Sequence, residues 1–179
     1  MPLIGNNLNF LKPYASGNET IALPSGKKAV IKRYFITFQP WQGKPISNTY
    51  NNKAVINFHG EPVFAELAVL RLFRSNGWNG VWVDKSKYRI GLLDAPDVNL
   101  PPRQEKIIET IRRKTASPGG CWDVFAWKNN KIVFLELKRS KKDLLRDSQK
   151  KWLAAALDLG FRPDDFALVE WNLEENSRK

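Results

Sequence analysis

Two strand-like runs carry the residues whose types and spacing could do chemistry. The runs are Cys121–Lys128 and Lys131–Lys138, and the two asparagines between them tolerate the left-handed backbone of a tight hairpin turn. A two-residue turn places Asp123 directly opposite Glu136, because pairing proceeds residue by residue away from the turn. The sequence therefore predicts two carboxylates facing each other on a β-hairpin.

Such a pair needs a positive charge beside it. Directly opposed strand residues have Cβ atoms about 4.5–5.5 Å apart, and like charges at that distance repel. Lys138 lies two residues beyond Glu136 and therefore shares its face of the strand. Carboxylate oxygens are hard ligands, which favours Mg²⁺ or Mn²⁺ as a bound cation. The plainer alternative is an amphipathic hairpin whose solvent-facing end carries charges.

The spacing of Asp123 and the triplet Glu136-Leu137-Lys138 resembles the signature of the PD-(D/E)XK nuclease superfamily. More closely, the segments PGGCWDVFAW and FLELKRSKKDLLRDSQKKWLAAALDLG are similar to the VRR-NUC family, which also has a Gln and a Trp after the triplet. The resemblance covers about residues 62–160, with an interruption. It implies metal-dependent hydrolysis of DNA phosphodiester bonds.

The resemblance also implies a role for each matching residue. Asp123 and Glu136 would bind Mg²⁺ or Mn²⁺, with the Leu137 carbonyl as a further ligand. Lys138 would orient the attacking water or help to deprotonate it. Gln149 would hydrogen-bond the catalytic strand or orient a ligand, although a Gln at the edge of an apolar helix face is an equally simple interpretation.

A helix predicted over Pro62–Asn76 contributes another candidate carboxylate. Four residues mark its apolar face: Val63, Leu67, Leu70 and Phe73. Glu66 points into that face, where an unpaired charge is costly. The resemblance makes Glu66 a metal ligand, directly or through water; the alternative is an ion pair with Arg74 or a strand lysine. Glu61, expected at the start of the helix, is the weaker candidate.

Periodicity and turn residues predict the other elements and the fold class. Strands are predicted at Ala29–Gln39, Ala54–Phe58, Trp78–Asp84 and Phe166–Trp171. Helices are predicted at Arg103–Lys114 and, with Asp147 or Ser148 as the cap, up to about Leu159, which is expected on the inner face of that helix. Residues Met1–Lys28 predict an irregular lead-in. The order predicts an α/β fold with a restriction-endonuclease-like mixed central sheet flanked by helices. We expect a β-rich extension over residues 1–60, packed on a nuclease core over 61–179 that has an insertion at about 85–118.

The charge of the chain favours a polyanionic partner. Its 179 residues include 29 Lys and Arg against 18 Asp and Glu, a net charge of +11. Solubility alone is the alternative explanation. The candidate phosphate contacts near the hairpin and the last helix are Arg139, Lys141, Lys142, Arg146 and Lys150. Those at the end of the insertion helix are Arg112, Arg113 and Lys114, for which a solvated helix end is an equal alternative. Earlier in the chain, Lys27, Lys28, Lys32 and Arg33 are further candidates.

Cysteine usage and hydropathy bound the location. A single cysteine, Cys121, forms no internal disulfide, which is typical of a reducing compartment. No apolar run approaches the roughly 18–20 residues of a membrane span. The start of the chain lacks a signal-peptide pattern. We therefore expect a cytoplasmic protein with no membrane partner.

The sequence-based hypothesis is a Mg²⁺- or Mn²⁺-dependent deoxyribonuclease, an endonuclease rather than an exonuclease. The resemblance points to branched or flap DNA in repair, recombination or phage and mobile-element replication. The alternative from another functional class is a non-catalytic nucleic-acid-binding module with a nuclease-like fold. RNA as the substrate and a homodimer as the assembly remain open at this point.

Overall fold

The protein has an α/β fold built on one large, open, mixed sheet. The computed structural model describes residues 8–49 and 52–175. The α-helices are α1 (Ala65–Ser75), α2 (Pro102–Thr115) and α3 (Asp147–Asp158). The strands are β1 (Ala15–Ala22), β2 (Lys28–Pro40), β3 (Ile56–Phe58), β4 (Glu61–Val63), β5 (Asn79–Asp84), β6 (Lys87–Arg89), β7 (Val124–Lys128), β8 (Lys131–Arg139) and β9 (Phe166–Leu173). Short 3₁₀ helices cover Asn9–Tyr14 and Pro163–Asp165.

The strands lie in the order β4-β3-β2-β9-β8-β7-β5-β6, and β1 pairs with the first half of β2. The pairs β2–β9 and β8–β9 are parallel, and the other pairs are antiparallel. A parallel pair needs a crossover connection, which α3 provides between β8 and β9. The strands of the predicted N-terminal extension therefore continue the same sheet.

Each face of the sheet has its own hydrophobic core, because successive strand residues point to opposite sides. On β8, Val133 and Leu135 pack on the face that α1 covers. Ile132 and Phe134 pack on the opposite face, which α2 and α3 cover. Glu136 and Lys138 follow in the same alternation, so they lie on the α3 face.

Several predicted elements are confirmed. The strand predicted at Ala29–Gln39 is β2, and the one at Trp78–Asp84 is β5 without its first residue. The insertion helix and the final strand are also present as α2 and β9. The four apolar residues predicted for the first helix are all fully buried.

Other boundaries were predicted wrongly. The predicted lead-in contains β1, whose polar sequence shows little apolar alternation and which pairs with β2; residues 1–7 lie outside the described part. The first helix begins at Ala65, because a turn at His59 and Gly60 makes residues 61–63 the edge strand β4. Glu61 therefore lies in β4, where it pairs with Arg71. Leu159 follows the last residue of α3 and is 40% exposed rather than part of the inner face.

Two further corrections concern helix ends and the hairpin. The residue that precedes α3 is Arg146, so neither Asp147 nor Ser148 caps the helix. The first hairpin strand begins at Val124 rather than at Cys121. Across the described residues, none of the helices has the length and apolar composition needed to cross a bilayer.

The core under α3 depends on an aromatic stack. Phe134 lies between Phe125 and Phe166, with ring centroids 4.6 and 5.3 Å away, and meets the edge of Trp152 at 6.1 Å. We expect Phe134→Ala to lower the free energy of unfolding by about 3–5 kcal/mol. For a chain of this size that corresponds to a fall in Tm of roughly 6–20 °C, measurable by circular dichroism.

The matched control is Leu144→Ala, because the Leu144 side chain is 87% exposed. A surface substitution of this kind changes stability by about 0.5 kcal/mol or less. Equal effects of the two variants would contradict the assignment of Phe134 to the core.

Candidate active site

The hairpin register is confirmed and brings the predicted carboxylates together. Pairing runs from Lys128 opposite Lys131 to Val124 opposite Leu135. Asp123 lies one residue beyond the last pair, and its Oδ2 accepts a hydrogen bond from the Leu137 backbone N–H at 2.9 Å. The side chain thus takes the place of a backbone partner, which explains why the strand begins only after Asp123.

Glu136 is the most enclosed charged group of the site, with 1% of the residue exposed. Its Oε1 pairs with the Lys138 ammonium at 2.9 Å and accepts a hydrogen bond from the Gln149 side-chain amide. Its Oε2 is buried and makes no hydrogen bond of normal geometry with a described residue, although the side chain and backbone N–H of Asp123 lie close enough to lower the pKa of the Glu136 carboxyl. A buried carboxylate oxygen without a donor is costly, so this oxygen favours an additional positive partner.

Gln149 joins three elements of the site. Its Oε1 accepts hydrogen bonds from the Lys138 ammonium at 3.0 Å and from the Arg146 backbone N–H at 2.9 Å. As the third residue of α3, it reaches back to the residue before the helix, as in a capping box. Gln149 is 2% exposed, so it is a buried connector rather than an edge-of-face residue.

Glu66 is present near the site but already has a partner. Its Oε1 lies 2.7 Å from the ammonium of Lys53, a residue that the sequence did not single out. Lys53 also lies over the rings of Phe64 and Trp82, 5.5 and 5.9 Å from their centroids. The lysine is in a loop rich in Asn, and nothing in its local sequence indicated the contact. The partner is therefore neither Arg74 nor a strand lysine.

Crowded negative charge shifts the titration of both central carboxyls. Burial raises the pKa of Asp123 well above its usual range, and the charges of Glu136 and Glu66 raise it further. Burial also raises the pKa of Glu136, against the lowering effect of Lys138. Like charges in a poorly hydrated site favour protonation, and a bound cation would relieve the same repulsion.

The donor set fits a hard divalent cation with a small number of protein ligands. Asp123 and the unpartnered oxygen of Glu136 supply carboxylates. The Leu137 N–H points toward Asp123, and its carbonyl shares that edge of the strand, because both groups of one strand residue face the same neighbour. Within residues 8–49 and 52–175, no cluster of three or more His, Cys, Asp or Glu side chains could hold a metal ion. Mg²⁺ is commonly held by one or two carboxylates and keeps several waters, so two suffice.

The segment before Asp123 is fixed by close packing on α3. The Trp122 indole N–H donates to the Gln149 backbone carbonyl at 3.1 Å, and the Trp122 side chain is fully buried. Gly119 and Gly120 both have positive φ, +82° and +88°. A Cβ atom at Gly120 would overlap the backbone carbonyl of Ser148, whereas one at Gly119 would meet nothing. Gly120 therefore allows the approach that places Asp123 beside α3.

The basic residues near the hairpin lie on different sides of the sheet. Lys141, Lys142 and Lys150 line a groove that begins at Lys138. Arg139 also borders this groove, but its guanidinium lies over the Trp171 ring, 5.4 Å from its centroid, on the α1 face. Adjacent residues of β8 point to opposite faces of the sheet, so Arg139 and Lys138 lie on different sides. The consecutive basic residues in the sequence did not indicate this separation. Arg146 is exposed at the start of α3.

The basic end of α2 is close to the site at one residue. Arg112 is half-buried, 3.5 Å from the Tyr88 hydroxyl, and its charge acts on the Cys121 thiol. Burial raises the pKa of that thiol despite Arg112, so Cys121 stays protonated and unsuited to nucleophilic attack. Arg113 is exposed and pairs with Glu109 at 3.4 Å, and Lys114 is exposed.

Comparisons with protein-family models, with curated proteins and with solved structures found no match to this chain.

The two neighbouring glycines give a matched test of the site's packing. We expect Gly120→Ala to destabilise the protein more than Gly119→Ala. Both variants place a side chain at positive φ, at about 1–3 kcal/mol, but only the first also meets the Ser148 carbonyl. Thermal denaturation of both variants checks this, and equal Tm values would contradict the proposed contact.

Neutralising Asp123 should stabilise the metal-free protein. Because its folded-state pKa is raised, the native state holds a proton that the unfolded state has released above its ordinary pKa of 3.8. That contribution to stability is lost as the pH rises through the folded pKa. In EDTA we expect the Tm of Asp123→Asn to exceed that of the wild type at pH 8, by about 2–4 °C for each kcal/mol relieved.

The pH dependence provides the control for this substitution. The difference in Tm between Asp123→Asn and the wild type should become smaller as the pH is lowered, because protonation then neutralises Asp123 in the wild type. Parallel Tm curves from pH 5 to pH 8 would show that Asp123 is not protonated above its usual range.

Proposed function

We propose that this protein is a metal-dependent nuclease that hydrolyses DNA phosphodiester bonds, with a restriction-endonuclease-like core of the PD-(D/E)XK type most similar to the VRR-NUC family. The observation that carries the proposal is the buried, unpartnered oxygen of Glu136 beside Asp123 and Lys138. The net charge of +11 supports a polyanionic substrate.

The proposed cofactor is Mg²⁺ or Mn²⁺, held by Asp123 and Glu136 and, in the resemblance, by the Leu137 carbonyl. When bound, such a cation would polarise the scissile phosphate and lower the pKa of the attacking water. Glu66 would act as a ligand through water, because its Oε1 is paired with Lys53.

Lys138 supplies the positive charge of the reaction. An ammonium has three donors, and two are directed at Glu136 Oε1 and Gln149 Oε1. The third is available for a non-bridging phosphate oxygen or for the attacking water. Because Gln149 fixes the ammonium before substrate arrives, Lys138 can stabilise charge that develops in the transition state without rearrangement.

A non-catalytic nucleic-acid-binding module is the second candidate, favoured by the same net charge. Binding alone does not require two enclosed carboxylates facing a polyanion, since they weaken the attraction to phosphate. When ionised, Asp123 and Glu136 also lower the stability of the metal-free protein, because their pKa values are raised by folding. Groups that cost stability in this way are characteristic of functional sites.

The experiment compares cleavage and binding in Lys138→Ala. The variant keeps both carboxylates, so we expect Mn²⁺ binding by calorimetry and DNA retardation in a gel to be largely retained. Cleavage of single-stranded, duplex, flap and four-way-junction DNA should fall about 10²–10³-fold, the usual cost of losing one preorganised group. Asp123→Ala should lose both Mn²⁺ binding and cleavage.

The control is Lys12→Ala, which removes the same charge from an exposed lysine outside the site. It should cut DNA at the wild-type rate. Wild-type protein that binds DNA but cuts no member of the panel would favour the binding module. Full cleavage by Lys138→Ala would refute the assignment of the hairpin as the active site.

A further inference from the structure

A groove of about 740 Å³ begins at Lys138 and runs over the α3 face of the sheet. One wall is the segment after β8, and the other is the β1–β2 hairpin. The floor includes Leu168 and Glu170 of β9. The β1–β2 wall lies outside the part of the chain that carries the family resemblance, so its contribution follows from the fold alone.

Cationic side chains outnumber carboxylates along the groove. Lys141, Lys142 and Lys150 line it, and no described residue forms an ion pair with their ammonium groups. The aliphatic lining includes Ile21 and Leu145. A groove with both aliphatic and cationic groups suits a ligand with apolar faces and repeated negative charges.

Arg33 places a further cation on the wall formed by β2. Its terminal nitrogens make only long contacts, 3.5 Å to Glu19 Oε2 and 3.3 Å to the Ser16 carbonyl. Its Nε–H is buried, and no described residue accepts a hydrogen bond from it. The guanidinium thus forms one long ion pair with Glu19, and its side chain is 38% exposed, so its terminal nitrogens can also contact an anionic ligand such as a phosphate.

The strand register connects Arg33 to the carboxylates. Glu136 pairs with Leu168, and Leu168 pairs with Arg33, so the three residues form one row across β8, β9 and β2. Neighbouring strands lie about 4.7–4.9 Å apart, which places Arg33 on the order of 10 Å from Glu136 along this row. Lys138, next along β8 on the same face, belongs both to the site and to the groove.

We propose that this groove binds an unpaired strand of DNA. The phosphates of the strand contact Arg33 and Lys150, and the groove guides the strand to Asp123 and Glu136. The part of the inference that leads the strand to Asp123 and Glu136 rests on the proposed nuclease function. The inference specifies the substrate as DNA with a single-stranded segment. The volume is that of a site for a small organic ligand, which matches one or two nucleotides of a single strand.

The test measures binding of a fluorescein-labelled oligothymidylate and of a hairpin duplex by anisotropy in EDTA, where no cleavage occurs. We expect Arg33→Gln with Lys150→Gln to weaken oligothymidylate binding about tenfold and to reduce its salt slope by about 1.4, the value for two phosphates on a single strand. Duplex binding should change little.

The matched control is Arg74→Gln with Lys12→Gln. Both residues are exposed, and their elements pack into the core of the α1 face, so the control removes the same charge from the opposite side. Lys150→Gln alone should weaken oligothymidylate binding by an intermediate factor. This single variant replaces the double variant in the test if the Arg33 substitution lowers the Tm. An equal loss in the control, an equal loss for the duplex, or no loss in the double variant would overturn the proposal.

Cleavage separates this inference from the proposed function. Selective loss of oligothymidylate binding in a protein that cuts no DNA would refute the nuclease and retain the groove as a single-strand site. Cleavage that is unaffected by Arg33→Gln with Lys150→Gln, together with unchanged binding, would retain the nuclease and refute the groove.

Discussion

The hydrogen bond between the Gln149 amide and Glu136 holds the site together. It ties the beginning of α3 to the middle strand of the sheet, and the same side chain orients Lys138 through its oxygen. Without this link, a buried carboxylate would lack one of its two positive or polar partners. The site thus depends on one neutral side chain that bonds a carboxylate with its donor end and an ammonium with its acceptor end.

The N-terminal strands extend this site rather than standing apart from it. Strand β2 pairs in parallel with β9, which pairs in turn with β8, so the residues of one row pass from the carboxylates to the N-terminal hairpin. The α3 face therefore has a continuous surface from the site to β1. Arg139, despite its position next to Lys138, belongs to the other face, where it packs on Trp171.

The sequence predicted the parts of the site that depend on local pattern. Two asparagines at a tight turn and regular alternation set the hairpin register, so Asp123, Glu136 and Lys138 could be placed together. The partner of Glu66 could not be predicted, because Lys53 reaches it from a loop whose path depends on tertiary packing. Strand β1 was missed because its pairing with β2, rather than its own composition, makes it a strand. The prediction that the first helix starts at Pro62 was wrong, because proline is accepted in an edge strand as readily as in a first helical turn.

The central position of β2–β9 pairing governs the order in which the chain can fold during synthesis. Strand β2 ends at Pro40, whereas β9 begins at Phe166, so the ribosome must release most of the chain before the two can meet. At about 5–20 residues per second, the apolar residues of β2 wait on the order of ten seconds for their neighbour. During that interval the β3–β4 hairpin and α1 can form locally, but β2 has an open edge with unpaired N–H and C=O groups. Completion of the sheet is therefore a late, long-range step.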